Sequence, residues 1–199
     1  ADYKNLNLLT NNSISNIMDN DHYVWIGTWK GLNLYDKQTC KIIPFPDTRL
    51  LDKGINYMAA DKEDNIWIGA GNTIYRCNST ASIAREYDIF GSQQNKHTIN
   101  FVYQDREGNM WVLTGGGLFK YDDKSDSFIT YPPLGKNNAP YTMCQDQSGN
   151  YWIGTWGEGL WQFFPQKEGE ECYKRHHIIN SRSGETEPIF YSCLLYTSD

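Results

Sequence analysis

Two tryptophans in this 199-residue sequence stand where an aromatic ring could contact a ligand. Trp29 lies in "VWIGTWKGL" and Trp156 lies in "YWIGTWGEGL", each four residues after an earlier tryptophan. Two related stretches have Gly71 and Gly115 at the corresponding place, so the fold itself does not require an aromatic side chain there. An exposed indole offers a flat apolar face and one N–H donor, which suits the C–H face of a sugar ring. We predict that Trp29 and Trp156 contact a ligand; the alternative is that each ring folds over a neighbouring part of the protein.

Five further residues near these tryptophans are candidate partners for the same ligand. Lys30 and Glu158 lie in the two tryptophan-containing loops, whereas Arg49, His97 and Tyr141 lie in or beside the segments that link successive repeats. The planar guanidinium of Arg49 has the shape to bind a carboxylate or sulfate group through two hydrogen bonds. Together with the two tryptophans, these residues form the predicted ligand-binding set.

A sequence repeat must position these residues. Four copies of one pattern are centred on tryptophans spaced by 42, 44 and 41 residues, and an aspartate precedes each tryptophan by six positions. An aromatic content of 15%, 17 glycines and the absence of sustained helical periodicity indicate short strands and turns. A period of this length with strand-like content predicts the four-stranded blades of a β-propeller. The pairs are Asp19 and Trp25, Asp61 and Trp67, Asp105 and Trp111, and Asp146 and Trp152.

Each copy predicts the same order of elements. A first strand ends at the aspartate, which opens a tight turn, and the tryptophan lies in a second, apolar strand. Gly108 and Gly149 supply the positive φ that such a turn favours, whereas His22 and Asp64 stand at this place in the other two copies. We predict that the four tryptophans are buried between adjacent blades. Gly27, two residues after the first of them, is predicted to permit a close backbone approach.

The repeats also predict how the chain is divided. We expect an all-β fold in which the 199 residues form an incomplete arc of a longer propeller, because four blades are few for repeats of this type. Residues 1–10 are predicted to be the outer strand of a preceding blade, and residues 185–199 the start of a further blade whose tail could be foreign sequence. The four predicted blades occupy residues 11–50, 51–93, 94–135 and 136–184.

The composition argues against several classes of function. A net charge of −6 gives no basic excess for a nucleic-acid surface, and no apolar run is long enough for a transmembrane helix. The five scattered cysteines lack CxxC spacing and suit small buried side chains better than redox chemistry or a zinc site. We predict no cofactor, no metal site and no catalytic residue in this chain.

The motif D-x-x-G-N-x-W-I-G-T, followed by G-L-x-x-Y-D, resembles the two-component regulator propeller repeat over about residues 3–193. The third copy departs from it with "WVLT", and the second lacks the Gly-Leu pair at residues 73–74. The resemblance implies the periplasmic sensor region of a hybrid two-component system of Bacteroidetes-type bacteria. It also implies detection of an oligosaccharide, a sensor dimer formed with a second copy of the chain, and a histidine kinase and membrane anchor outside these residues.

Two other functions stay open from the residues alone. Several propellers are lyases or glycosidases, whose chemistry needs converging carboxylates or an acid–base histidine, and His97 and Glu158 are the residues that could converge. The exposed aromatic residues could instead anchor a protein partner, which makes the chain an interaction platform. Binding without chemistry is favoured, because the repeated aspartates belong to turns on the opposite face of the blades.

Overall fold

The computed structural model describes residues 9–91, 97–135 and 139–177, which fold into sixteen strands. The strands form four antiparallel sheets of four, and in each sheet they pair in the order in which they follow along the chain. This confirms the predicted all-β class with four-stranded antiparallel sheets. The chain divides into two compact units, residues 1–94 and 95–199, and each contains two of the sheets. The outer strand predicted within residues 1–10 falls mostly, and the further blade predicted for residues 185–199 wholly, outside the described residues.

The first unit contains the sheets β1–β4 and β5–β8. Trp25 is fully buried in a core cluster that includes Leu32 of its own sheet and Ile55 and Ile68 of the following sheet. A 3-10 turn, Thr48–Leu50, interrupts the connection between the two sheets. The strands are β1 Ile14–Asp19, β2 Tyr23–Thr28, β3 Gly31–Asp36, β4 Lys41–Pro44, β5 Ile55–Ala60, β6 Ile66–Ala70, β7 Thr73–Cys77 and β8 Ile83–Tyr87.

The second unit repeats this plan with the sheets β9–β12 and β13–β16. The Trp111 ring is buried, and its centroid lies 5.5 Å from that of Tyr151 and 5.4 Å from that of Phe163, both in the following sheet. Trp25 and Trp111 are therefore buried between adjacent sheets, as predicted, whereas Trp152 of the last sheet is only partly buried. The strands are β9 Ile99–Gln104, β10 Met110–Thr114, β11 Gly117–Asp122, β12 Ser127–Thr130, β13 Ala139–Gln145, β14 Tyr151–Trp156, β15 Leu160–Phe163 and β16 Tyr173–His176, and a 3-10 turn at Gly169–Cys172 precedes the last.

The six-residue spacing between aspartate and tryptophan has a direct structural cause. In three copies the indole N–H donates a hydrogen bond to the carboxylate of the aspartate that opens the turn. The same carboxylate also accepts backbone N–H groups of the turn, so one side chain fixes both the turn and the tryptophan. The indole bonds run from Trp67 to Asp61 at 2.7 Å, from Trp111 to Asp105 at 2.8 Å and from Trp152 to Asp146 at 2.9 Å.

The first copy uses a different turn. The Asp19 carboxylate lies 2.7 Å from Lys37 Nζ. The side chain of Asn20 takes the role of the aspartate in the turn and accepts the backbone N–H of His22 at 3.0 Å. The indole N–H of Trp25 is consequently buried without a partner among the described residues. Positive φ occurs at the predicted place in the other turns, at +60° for Asp64, +91° for Gly108 and +83° for Gly149.

The four cysteines in the described part of the chain differ in burial and in bonding. Cys77 and Cys172 are buried, as the sequence indicates, whereas Cys40 is exposed. Burial raises the pKa of the Cys77 thiol to about 12, so this thiol is unreactive at neutral pH. Cys144 is disulfide-bonded, which the scattered spacing did not predict. The expectation of small buried side chains is therefore wrong for Cys40, whereas Cys144 is buried as expected but is not a free thiol.

Candidate ligand-binding site

One edge of each sheet carries the predicted site residues. In a sheet whose four antiparallel strands pair in chain order, the loop between the second and third strands lies at the same edge as the connections to neighbouring sheets. We call this edge the rim. Threonines at the end of the second strand shape its loops. The Thr155 hydroxyl donates to the Gly159 carbonyl at 2.8 Å, and the Thr28 hydroxyl donates to the Gly31 carbonyl at 2.7 Å. Because each threonine is followed directly by tryptophan, the loop presents that ring to solvent.

Two exposed aromatic rings meet at the rim of the second unit. Trp156 is 48% exposed and Tyr141 is 39% exposed, and their ring centroids lie 5.9 Å apart at an angle of 44°. We call them the aromatic pair. Tyr141 lies in β13 where the pairing with β14 is irregular between Pro140 and Thr142, and such an irregularity re-aims a side chain. The Asn100 side chain donates to the Pro140 carbonyl at 3.0 Å and holds this segment in place.

A charged pair stands next to the aromatic pair. Trp156 ends β14, and Glu158 follows it by two residues in the loop. The Glu158 carboxylate lies 3.4 Å from the guanidinium of Arg175 in β16. Both side chains are about one-third exposed, at 32% and 34%, so their outer atoms can still reach a ligand. Carboxylate and guanidinium groups accept and donate hydrogen bonds to hydroxyl groups, respectively. The second unit therefore combines stacking surface and hydrogen-bonding groups in one place.

In the first unit, Trp29 is the predicted aromatic residue, and it is exposed. Its ring is 60% exposed and rests near Gly54, where an added Cβ would lie 3.7 Å from ring atom Cε3. The backbone N–H of Trp29 donates to the Ser13 carbonyl at 3.1 Å. Lys30 Nζ lies 3.9 Å from the Asp52 carboxylate, and both side chains are well exposed. Trp29 and Lys30 thus form a smaller rim site whose tryptophan has no aromatic ring beside it among the described residues.

Arg49 is already bound to carboxylates of its own chain. Its Nε and Nη2 atoms donate to the two oxygens of Asp47 at 3.0 and 2.7 Å, and Nη1 lies 3.5 Å from Glu86. The hydrogen bond from Arg49 lowers the pKa of Asp47, and the bond to Asp47 raises the pKa of Arg49 in return. A ligand anion at Arg49 must therefore displace Asp47 from the guanidinium.

His97 covers a hairpin of its own sheet. A side chain at Gly115 would approach the His97 Nδ1 to 3.2 Å, and one at Gly116 would collide with the imidazole ring. The ring is exposed but lies over this glycine turn, whereas Glu158 pairs with Arg175. Sequence reasoning missed Arg175 because only the strand register brings β16 to this loop. Among the described residues, no group of three His, Cys, Asp or Glu side chains could hold a metal ion.

Residues 134–157 match the family model of the two-component regulator propeller, which confirms the resemblance seen in the sequence. This matched segment contains both residues of the aromatic pair. Among curated protein sequences, none matches the chain. In the described part of the chain, no helix has the length and apolar character needed to cross a membrane.

Solved structures show the same fold. The extracellular domain of the hybrid two-component system BT4673 of B. thetaiotaomicron is similar with a TM-score of 0.73 and 21% identity, over 90% of this chain and 24% of that one. That of BT3049 from the same organism has a TM-score of 0.67 and 14% identity, over 92% and 24%. Virginiamycin B lyase of Staphylococcus aureus has a TM-score of 0.64 and 16% identity, over 86% and 58%. The chain thus spans about a quarter of the first two extracellular domains, and this likeness shows the fold alone.

Proposed function

We propose that this chain is part of the ligand-detecting region of a hybrid two-component sensor, and that its aromatic pair binds an oligosaccharide. The match to the two-component regulator propeller and the likeness to the extracellular domains of BT4673 and BT3049 support the sensor role. The same likeness supports a location outside the cytoplasm. In this proposal the histidine kinase lies outside these residues and receives the signal.

The observation that carries the ligand proposal is the exposure of two adjoining rings at the rim. Tyr141 and Trp156 are both large aromatic side chains, and folded proteins usually bury such surface. Two rings inclined at 44° form a shallow apolar cleft rather than a flat plate. A sugar ring placed there covers apolar surface while its hydroxyl groups face Glu158 and Arg175. The neighbouring ion pair therefore supplies polar partners that an apolar protein partner would not use.

Binding without chemistry is the proposed mode of action. Glu158, the rim carboxylate next to the aromatic pair, is engaged by Arg175, and His97 lies over a glycine turn. These contacts direct Glu158 and His97 to other groups, and not to each other as an acid–base pair. Ligand binding then acts by favouring one arrangement of two sensor chains over another, by as much as its affinity differs between them. Trp29 and Lys30 are a second, independent rim contact in this proposal.

Calorimetric titration with four hexasaccharides tests the proposal: maltohexaose, xylohexaose, arabinohexaose and a chondroitin sulfate hexasaccharide. We expect at least one to bind, and Trp156→Ala or Tyr141→Ala to weaken that binding by about tenfold, the effect of losing one favourable ring contact. Ile129→Ala is the matched control, because Ile129 is also a half-exposed apolar side chain of the second unit. It should leave the affinity unchanged.

Three results would contradict this proposal. Absence of binding by all four probes rejects an oligosaccharide ligand of these classes. Equal affinity in the wild type, Trp156→Ala and Tyr141→Ala proteins rejects the aromatic pair as the site. Shortened or unsaturated sugar products, measured after incubation with each hexasaccharide, reject binding without chemistry and favour a propeller lyase or glycosidase.

A further inference from the structure

A second cleft lies beside the outer strands of the last sheet. Its volume is about 760 Å³, within the range of pockets that hold small ligands. One wall is the described first part of the connection between the two sheets of the second unit, up to Gly135, and the other belongs to β15, β16 and the turn before β16. The lining residues are mostly rings, with one carboxylate among them: Pro132, Pro133, Gly135, Trp161, Glu170 and Tyr173.

The walls of this cleft are fixed by the fold. The Tyr173 hydroxyl donates to the Pro132 carbonyl at 2.8 Å and ties the connection to β16. Leu134 anchors the connection in the core, where it is almost completely buried. Trp161 stands opposite Arg175 in the register of β15 and β16, and the guanidinium lies 5.9 Å from the indole centroid. The cleft is therefore preformed rather than a gap between loose segments.

The connection that forms one wall has an equivalent in the first unit. The backbone N–H groups of Phe45 and Tyr131 donate to the second residue of the third strand, at 3.0 and 2.9 Å. A proline follows each of them, and each connection then inserts one buried leucine, Leu50 or Leu134. The two connections differ in length, because Leu50 follows Phe45 by five residues and Leu134 follows Tyr131 by three. Both reach a buried leucine, so they can be compared at the residue that precedes it.

The residue immediately before this buried leucine decides whether the space between the connection and the outer strands of the following sheet is filled. In the first unit it is Arg49, which reaches Glu86, and Glu86 in turn binds the Tyr75 hydroxyl at 3.2 Å. Tyr75 pairs with Glu86 in register as Trp161 pairs with Arg175. In the second unit the residue is Pro133, whose short ring cannot reach across. The same place is thus a polar network in one unit and a cleft in the other, so the fold does not require the cleft.

Trp161 has two properties that suit a ligand contact. Tyr75 and Phe119 occupy the equivalent strand position and are buried, whereas part of Trp161 stays exposed. Its indole N–H is enclosed and has no hydrogen-bond partner among the described residues. An enclosed donor without an acceptor lowers stability, so an oxygen atom supplied by a ligand would relieve that cost.

We infer that this cleft is a second sugar subsite, in which Trp161 stacks on a sugar ring and Glu170 accepts hydrogen bonds from its hydroxyl groups. The inference rests on the proposed function, because the Glu158–Arg175 ion pair links the two places. Glu158 follows Trp156 by two residues, and the Arg175 guanidinium lies against the Trp161 ring. The ligand is therefore a chain of several sugars that reaches from the aromatic pair to the cleft, rather than a single sugar.

Indole NMR signals distinguish the two sites. Protein labelled with ¹⁵N at its seven tryptophans gives separate indole signals, and Trp156→Phe and Trp161→Phe variants assign the relevant two. The probes are three linear series from monosaccharide to hexasaccharide, built of α-1,4-glucose, β-1,4-xylose or α-1,5-arabinose. In at least one series, short members should shift only the Trp156 signal, and longer members should shift both signals and bind at least tenfold more tightly.

Glu170→Gln should reduce this tenfold gain in affinity with chain length to less than threefold. Glu168→Gln is the matched control, because Glu168 immediately precedes the same 3-10 turn but does not line the cleft. If long probes shift the Trp156 signal and leave the Trp161 signal unchanged, the cleft is not a subsite although the proposed function stands. If neither signal shifts with any series, the inference is rejected together with an oligosaccharide ligand of these three classes.

Discussion

Loss of the Asp105 carboxylate should destabilise this protein more than loss of any other repeat aspartate. Asp105 is buried and accepts hydrogen bonds from the Trp111 indole at 2.8 Å, the Tyr151 hydroxyl at 2.6 Å and the Asn109 amide at 2.8 Å. Tyr151 belongs to the following sheet, so this carboxylate joins two sheets as well as closing its own turn. The aspartate at this repeat position therefore contributes a different amount to stability in different copies.

The expected magnitudes follow from the number and burial of the lost bonds. Asp105→Ala leaves two buried donors, on Trp111 and Tyr151, without an acceptor, at a cost of about 1–3 kcal/mol each. Counting the lost turn bonds, we expect a loss of about 3–5 kcal/mol. Asp146→Ala breaks bonds that are only partly buried, which predicts about 1–2 kcal/mol. Asp19→Ala breaks an exposed ion pair and should cost about 0.5 kcal/mol.

Urea unfolding followed by tryptophan fluorescence measures this order. The midpoint should fall most for Asp105→Ala, less for Asp146→Ala and little for Asp19→Ala, with unchanged slopes. Equal losses in the three variants would refute the reasoning, because the effect would then belong to the turn and not to the buried hydrogen bonds. A loss for Asp19→Ala as large as that for Asp105→Ala would refute it as well.

The stability that Asp105 provides should also depend on pH. Burial raises its pKa, but the hydrogen bonds from Tyr151, Trp111 and Asn109 together outweigh burial and hold it below the usual 3.8. A depressed pKa contributes stability that is present above the unfolded-state value and is lost as the pH falls through the folded-state value. The Asp105→Asn protein should therefore lose less stability than the wild type between pH 5 and the acid limit, as measured by the unfolding free energy at each pH.

Three other substitutions or reagents test the packing. Gly27→Val should cost about 1–3 kcal/mol by urea unfolding, because even an added Cβ would lie 2.7 Å from an isoleucine of the next sheet; no loss would contradict that close approach. Trp111→Ala should cost about 3–5 kcal/mol in the same assay, and Trp152→Ala less, because Trp152 is partly exposed. A thiol reagent such as DTNB should modify exposed Cys40 in the native protein and buried Cys77 only after unfolding, so equal rates would contradict the burial of Cys77.

The repeat could be predicted because every copy must meet the same physical conditions. A tryptophan between sheets needs an acceptor for its indole N–H, and the aspartate at the turn provides one six residues earlier. Spacing and residue type are therefore coupled, and both are visible in the sequence. The first copy is the exception. It keeps the six-residue spacing, but Asp19 binds Lys37, and the indole N–H of Trp25 has no acceptor among the described residues. That exception depends on a contact between side chains 18 residues apart, which the spacing alone does not reveal.

The site could be predicted only in part, for a related reason. Trp29 and Trp156 stood out because two other copies have glycine at their place, and both are exposed as expected. Their ligand contacts stay predictions. The pairing of Tyr141 with Trp156 depends on an irregularity in strand register, and the pairing of Arg49 with Asp47 depends on the local geometry of a 3-10 turn. Neither is encoded in a periodic pattern, so sequence reasoning placed these residues near the site without finding their partners.

Differences among copies of a repeat carry information that their shared residues do not. Shared residues such as the tryptophans and aspartates are explained by packing between sheets, so they say little about a ligand. At the rim and at the residue before the buried leucine, by contrast, the copies differ while the order of strands in each sheet stays the same. Trp156 stands where two other copies have glycine, and Pro133 stands where the first unit has arginine. Both differences leave aromatic rings exposed that the fold does not require. Both differences expose rings of the last sheet, since Trp156 ends β14 and Pro133 lies in the connection that faces Trp161 of β15. This sheet is therefore the place where specificity for a ligand should be sought first.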